Sequence, residues 1–173
     1  MAEVREAADR RYVVGVDGSE GSRAALRWAA AEAARHGAEL EVVHAWQPPI
    51  RLPIVGAVAN PLIGSPRLYP GPLAARAQEV LDRALTDVFG PQPPSRVAAA
   101  LREGPPAAVL IAESVGAELL ALGCRGFGGF KDLLVGSVCE QVVRHAHCSV
   151  IVIRRHEHAT PRHRRRSRAA RRQ

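Results

Sequence analysis

Short apolar runs alternate with segments of helical periodicity along almost the whole chain. Residues 11–16 (RYVVGV) form an apolar run rich in β-branched valine, bounded by the turn formers DGS, and they predict a buried strand. Residues 23–37 then place apolar side chains at helical spacing, with Ser19 or Ser22 available as the N-cap. Residues 38–46 (AELEVVHAW) alternate and then become apolar, and they complete a strand–helix–strand unit, which requires the two strands to pair in parallel.

The alternation resumes in the second half of the chain. Helices are predicted at 73–90, 106–116 and 137–146, and strands at 95–103, 117–123 and 148–154. Five strands joined by helical crossovers predict an α/β fold, an open, doubly wound, Rossmann-like parallel sheet in the order 3-2-1-4-5 with helices on both faces. Ligands of such sheets bind beyond the carboxyl ends of the strands, where the strand order reverses. The loops after the first and fourth strands are therefore the candidate site.

One domain accounts for a chain of 173 residues, and we expect it to span residues 11–154 after a flexible N-terminus at 1–10. Residues 47–73 interrupt it with seven prolines, a density that excludes a long helix or a central strand. A connection of this length is either functional, as a lid or a partner surface, or a tolerated insertion.

The net charge of +7 resides almost wholly at the end of the chain. Residues 154–173 contain nine arginines and one acidic residue, out of totals of 24 basic and 17 acidic residues, so the body is nearly neutral. The arginine-rich segment, residues 155–173, has no apolar period and is predicted to be disordered. One interpretation is that it binds nucleic acid or an anionic surface weakly, through charge alone. The other is that it is a solubilising appendage.

No apolar run approaches the roughly 20 residues that span a bilayer, and the first residues lack the apolar stretch of a signal peptide, so we expect a cytoplasmic protein. Its three cysteines are then expected to be reduced thiols. Cys148 lies beside His145 and His147, but two histidines two positions apart do not share a helix face. A metal site is therefore not predicted.

The loop after the fourth strand is rich in glycine. Residues 123–138 read GCRGFGGFKDLLVGSV, with five glycines among sixteen residues. They do not match the Walker A pattern, which needs Lys-Ser/Thr after its last glycine, or the dinucleotide pattern, which belongs to the first strand. The glycines at 126, 128 and 129 still permit a nest of inward N–H groups, and 136–138 open a helix whose dipole favours an anion. The alternative is a glycine-rich turn that binds no ligand. Arg125 either contacts the anion or faces solvent.

Ordered motifs along the body resemble one protein family. They are VGVDGSEGS at the first strand, ALRWAAAEA on the first helix, VVHAW on the second strand, EGPP before the third helix, Gly-x2-Gly-x9-Gly-Ser in the glycine stretch and RHAHCSVIVIR at the end. Together they are similar to the universal stress protein family over residues 11–154. The resemblance is to its ATP-binding branch, in which the glycine motif grips the ribose and phosphates and an Asp after the first strand lies near the ribose.

Carried onto this sequence, the resemblance implies a nucleotide site in which Val43 lies near the adenine and Asp17 near the ribose. Phe127, bulkier than expected, either packs on the nucleotide or anchors the loop. The positions implied are Gly15, Val16, Asp17, Val43, Gly123, Cys124, Arg125, Gly126, Phe127, Gly128, Gly129, Gly136, Ser137 and Val138.

The expected ligand is ATP, with or without Mg²⁺, or another adenine nucleotide. The expected function is that of a nucleotide-dependent regulator or sensor in the stress response. The alternatives are a protein that binds nucleic acid or a scaffold through its arginine-rich segment, and a slow ATPase, although nothing orients Lys131 or Asp132 for catalysis. Because the last strand is apolar and near the end of the chain, we expect it to be a sheet edge and the site of homodimerisation, which the resemblance also implies.

Overall fold

The computed structural model describes residues 10–48, 70–124 and 136–154. Expectations for the N-terminus, most of the 47–73 connection, the middle of the glycine stretch and the arginine-rich segment fall outside the described residues. The elements are β1 (Arg11–Gly15), α1 (Glu20–His36), β2 (Glu39–Trp46), α2 (Pro70–Phe89), β3 (Val97–Glu103), α3 (Pro106–Glu113), β4 (Leu119–Gly123), α4 (Ser137–His145) and β5 (Ser149–Ile153).

The sheet confirms the predicted α/β architecture. Its strands pair in the order β3-β2-β1-β4-β5, and every pairing is parallel. All five strands therefore end on the same side of the sheet, called here the carboxyl edge, and begin on the opposite side, the amino edge. Strand order reverses between β1 and β4, which are neighbours at the centre. The loops that follow these two strands therefore share the carboxyl edge, as the sequence pattern predicts.

Both faces of the sheet are covered by helices, because alternate side chains of each strand enter different cores. On one face Val14 and Leu40 are fully buried together with Leu26 of α1 and Leu81 of α2. On the other face Val13, Leu120 and Val43 are buried against residues of α3 and α4. None of the helices in the described ranges is both long and apolar enough to cross a bilayer. A cytoplasmic location stays a prediction.

Helix α1 begins and ends at local signals. The Ser19 hydroxyl accepts from the Ser22 N–H at 3.2 Å, so Ser19 is the N-cap, and the helix begins at Glu20, three residues before the predicted start. Gly37 ends the helix with φ of 65°, a left-handed conformation that glycine adopts without a Cβ penalty.

Two other helix boundaries differ from the sequence prediction. Helix α2 begins at Pro70, inside the segment interpreted as a connection, because proline is tolerated in a first helical turn, where no N–H donor is needed. Helix α3 ends at Glu113 because the buried Ser114 hydroxyl donates to the Ile111 carbonyl at 2.6 Å and accepts from the His147 N–H at 2.8 Å. Ser114 thereby ties the end of α3 to the start of β5.

The end of β4 lies directly against the first turn of α1. A Cβ atom added to Gly123 would lie 2.5 Å from the Gly21 carbonyl carbon, 2.7 Å from its oxygen and 2.8 Å from the Ser22 nitrogen. These are backbone atoms of a capped helix, so they cannot move aside cheaply. Only glycine lets β4 and α1 approach this closely.

We expect Gly123→Ala to lower the free energy of unfolding by about 2–3 kcal/mol, because the added methyl group forces two backbone segments apart. Urea denaturation measures this change. Gly71→Ala is the matched control, since a Cβ atom there meets nothing within 4 Å. Alanine in the first turn of α2 should leave stability unchanged or raise it by up to about 1 kcal/mol. Equal stability of the two variants would contradict the close approach.

Candidate functional site

The carboxyl ends of β1, β2 and β4 carry most of the described candidate residues. The Val16 N–H donates to the Val43 carbonyl at 2.9 Å, which extends the pairing of β1 and β2 by one residue. The Gly136 N–H donates to the Cys124 carbonyl at 3.0 Å, so the two ends of the glycine-rich loop between β4 and α4 are hydrogen-bonded to each other. This junction of Cys124 and Gly136 is called the neck of the loop. Since Gly123 touches α1, the loop after β1 and the neck of the loop after β4 are neighbours.

Asp17 shapes the turn between β1 and α1. One of its carboxylate oxygens accepts from the Ser19 N–H at 2.9 Å, an Asx-turn geometry. Its own N–H donates to the Ser22 hydroxyl at 3.3 Å. The half-buried side chain therefore has a structural task in this turn in addition to any role in binding.

Two carboxylates, those of Asp17 and Glu20, lie on the β1 side of the edge together with two arginines. Glu20 follows Asp17 in the first turn of α1 and pairs with Arg23 and Arg27 at 2.9 and 3.0 Å. Hydrogen bonds from Arg23 and then Arg27 hold the pKa of the Glu20 carboxyl below its ordinary value. Both Glu20 carboxylate oxygens are thus engaged by arginine, and Asp17 is the carboxylate on this side that suits a hydroxyl donor.

The start of helix α4 offers hydrogen-bond donors instead of carboxylate acceptors. Its N-cap is Gly136, with φ of −73° and ψ of 153°, a residue that has no side chain with which to cap the helix. An α-helix leaves its first N–H groups without intrahelical acceptors, so those of Ser137, Val138 and Cys139 are donors at the positive end of the helix dipole. Ser137 is exposed, whereas Val138 packs partly into the core and Cys139 is buried. This helix end can accept an anion.

Three of the predicted site residues lie beneath the edge, with little or no exposed side-chain surface. Gly15 and Val16 are buried, and the Val43 side chain is fully buried with its carbonyl occupied by Val16. Any contact of Val43 with a ligand would therefore depend on backbone atoms or on a change of packing. Cys124 is buried at the neck of the glycine stretch.

The sequence interpretation missed His44, which follows Val43 on β2. Its Nδ1 atom lies 2.7 Å from the Val16 carbonyl oxygen, and because a carbonyl only accepts, Nδ1 carries the hydrogen. In the neutral ring Nε2 is then an acceptor, on a half-buried side chain next to the Asp17 turn. A polar residue within the apolar second half of β2, VVHAW, was the available signal.

Five predicted site residues lie outside the described residues: Arg125, Gly126, Phe127, Gly128 and Gly129.

The cysteine thiols of the described part are protonated at neutral pH where their pKa is raised. Burial, followed by the neighbouring Cys124, raises the pKa of the Cys139 thiol, and burial raises the pKa of the Cys148 thiol. Across the described residues, no cluster of three histidine, cysteine or acidic side chains could hold a metal ion.

The chain resembles known proteins over nearly all of this body. A universal stress protein of Mycolicibacterium smegmatis is 30% identical over 150 residues, covering 87% of this chain and 50% of the relative. One of Thermus aquaticus is 30% identical over 147 residues, covering 84% of this chain and 98% of the relative. The chain spans about half the length of the mycobacterial relatives that it matches.

A solved structure of a universal stress protein in complex with cAMP is 25% identical to this chain. It aligns with a TM-score of 0.59, covering 85% of this chain and 98% of that chain. The model of the universal stress protein family matches residues 10–154, which include every described element. The chain belongs to the universal stress protein family.

Proposed function

We propose that this protein binds ATP at the carboxyl edge and acts as a nucleotide-dependent regulator in the stress response. The contact of Gly123 with the first turn of α1 carries the proposal, because it makes the loops after β1 and β4 two halves of one site. The polar groups at this edge are of the two kinds that a nucleotide needs, carboxylate acceptors and backbone N–H donors. Ribose hydroxyls are donors, and they suit the acidic turn at Asp17.

The phosphates suit the start of α4. The N–H groups of Ser137 and Val138 would donate to phosphate oxygens, with the helix dipole favouring the negative charge. The glycine stretch would enclose the same phosphates with backbone N–H groups and the Arg125 guanidinium; its proposed members are Gly123, Cys124, Arg125, Gly126, Phe127, Gly128, Gly129 and Gly136. Mg²⁺ would accompany the phosphates as a further prediction.

The adenine would lie at the ends of β1 and β2, above Gly15, Val16 and Val43. The cAMP complex of a relative supports an adenine nucleotide as the class of ligand. His44 directly follows Val43 on β2. Its Nε2 atom could accept a hydrogen bond from a donor such as the adenine amino group. The proposal is confined to binding, since slow hydrolysis would depend on Lys131 and Asp132, outside the described residues.

Four substitutions test the ATP site by calorimetric titration. Asp17→Asn keeps an acceptor for the Ser19 N–H but removes the charge, so we expect it to weaken ATP binding about 5- to 30-fold, the loss of one charged hydrogen bond.

Ser137→Pro removes a backbone donor while the helix tolerates proline at this first position, and Ser137→Ala removes only the hydroxyl. The ψ of 153° at Gly136 already suits a following proline. Glu39→Gln, at the amino edge, removes a charge as Asp17→Asn does and is the control.

Ser137→Pro should weaken ATP binding more than Ser137→Ala, and neither should change adenosine binding, because the donor acts on phosphate. Glu39→Gln should leave affinity unchanged. A dissociation constant of the unaltered protein above about 1 mM would remove the proposal altogether, since so weak a complex gains only about 4 kcal/mol. Equal losses at Glu39 and Asp17 would show that net charge, not the site, sets affinity.

His44→Leu tests the β2 side of the site. It removes the hydrogen bond to the Val16 carbonyl, and we expect it to cost about 1 kcal/mol of stability and to weaken ATP binding, because the turn before Asp17 loosens. His36→Leu is the control near the amino edge, where His36 Nδ1 lies 3.1 Å from the Tyr12 hydroxyl and Nε2 lies 3.3 Å from the Glu32 carboxylate. It should lower stability comparably and leave ATP affinity unchanged. A loss of ATP affinity in both variants would show that His44 affects binding only through the stability of the whole domain.

We further propose that the chain forms a homodimer through β5. This strand is at one edge of the sheet, and its apolar residues are only half-buried. Ile151→Arg should yield monomers in sedimentation at micromolar concentration, because a charge would be buried between the strands. Ala99→Arg, exposed on the opposite edge strand β3, should leave the dimer intact. A monomeric unaltered protein, or a dimer broken only by the β3 change, would contradict this arrangement.

A further inference from the structure

Trp46 is an aromatic side chain at the last position of β2, on the carboxyl edge. It is half-buried, and it is not among the residues that pack in either core of the described part of the chain. The other tryptophan, Trp28 of α1, packs against the core that contains Leu26 and Leu40. The half-exposed indole of Trp46 therefore offers a flat apolar face to a ligand at this edge.

β2 extends past the end of β1 at this edge. The last pair of β1 with β2 is Gly15 with Val43, and the Val16 N–H adds one hydrogen bond to the Val43 carbonyl. The pairing of β2 with β3 instead continues for three more residues, to Trp46 opposite Glu103. These residues carry the sheet about 10 Å beyond the end of β1, since a strand rises roughly 3.3 Å per residue. A step therefore lies beside β2, next to the turn that follows β1.

The indole of Trp46 is on the same face of the sheet as the His44 ring, because alternate residues of a strand share a face and the pairing of β2 with β3 is unbroken. His44 Nδ1 lies 2.7 Å from the Val16 carbonyl oxygen, so the imidazole lies at the end of β1. Trp46 is two residues farther along the strand, about 7 Å beyond His44. The Gly104 N–H donates to the Trp46 carbonyl at 2.8 Å and fixes the backbone that carries the indole. The indole therefore borders the step, on the side of the Asp17 turn.

We propose that Trp46 stacks on the adenine of the bound nucleotide, so that the aromatic base contributes to affinity together with the phosphates. This inference rests on the proposed function of the carboxyl edge, which puts the adenine at the ends of β1 and β2. Aromatic side chains stack on bases through their π-faces, and this interaction is lost when the side chain is truncated. Trp46 is then a specificity-determining residue that favours ligands with an aromatic base over phosphates without one.

Fluorescence of the full chain reports this contact, because the protein has two tryptophans. Trp28→Phe leaves Trp46 as the single tryptophan, and ATP should quench its emission with a saturable curve that matches the calorimetric titration. Trp46→Phe leaves Trp28, whose emission should not change, since Trp28 lies eight residues into α1, about 12 Å from the start of the helix at the carboxyl edge. Inorganic triphosphate has no base and should not quench Trp46.

Calorimetric titration of three variants measures the contribution to affinity. Trp46→Leu removes the π-face but keeps an apolar side chain, and we expect it to weaken the binding of ATP and of adenosine by the same factor, about 5- to 30-fold. Ser137→Pro, in contrast, should weaken ATP alone. Trp46→Phe keeps an aromatic ring and should recover most of the loss. Trp28→Leu is the matched control, because it removes the other half-buried indole, and it should leave ATP affinity unchanged.

Two results would overturn the inference and leave ATP binding intact. One is unchanged ATP affinity in Trp46→Leu, whatever its stability in urea, which would leave Trp46 a structural role only. The other is quenching of Trp46 by inorganic triphosphate as strong as that by ATP, which would show that the emission follows a change of the whole site and not the base. Failure of the unaltered chain to bind ATP in calorimetry would instead refute the proposed function.

Discussion

The contact between Gly123 and the first turn of α1 is the constraint on which the candidate site depends. A side chain at this position would overlap backbone atoms of Gly21 and Ser22, so the sheet and the helix meet without any side chain between them. The contact fixes the end of β4 next to the loop that follows β1. Two loops that are about a hundred residues apart in sequence thereby become neighbours, and the polar groups that each contributes can act on one ligand.

Those polar groups differ in sign. The β1 loop offers the Asp17 carboxylate, whereas the start of α4, capped by a glycine, offers backbone N–H donors. A nucleotide has the matching asymmetry, with hydroxyl donors on the ribose and negative charge on the phosphates. The same edge is where the arginine-rich segment departs, through the hydrogen bonds of Cys124 with Ile153 and Gly136.

The alternation of apolar runs and helical periods was enough to predict the fold and to bring the loops after β1 and β4 to one edge, because parallel strands and their crossovers leave few arrangements. Helix boundaries were less accessible. The start of α2 at Pro70 was missed because proline is read as a breaker, although it is tolerated in a first turn. The end of α3 depends on Ser114 contacting His147, a tertiary contact that no local pattern contains.

Within the site, the family resemblance gave positions but not their orientation. It named Val43, whose side chain is fully buried, and not His44, whose ring bonds the Val16 carbonyl. The structural task of Asp17 was more accessible, because the DGS motif predicts a turn there, and the hydrogen bond from the Ser19 N–H agrees with it. The most direct test of a single ATP site is a titration followed by amide chemical shifts. The account predicts saturable shifts at Asp17, Gly123, Ser137 and Val138, with none at the amino edge. Saturable shifts confined to the arginine-rich segment, or none at all, would contradict it.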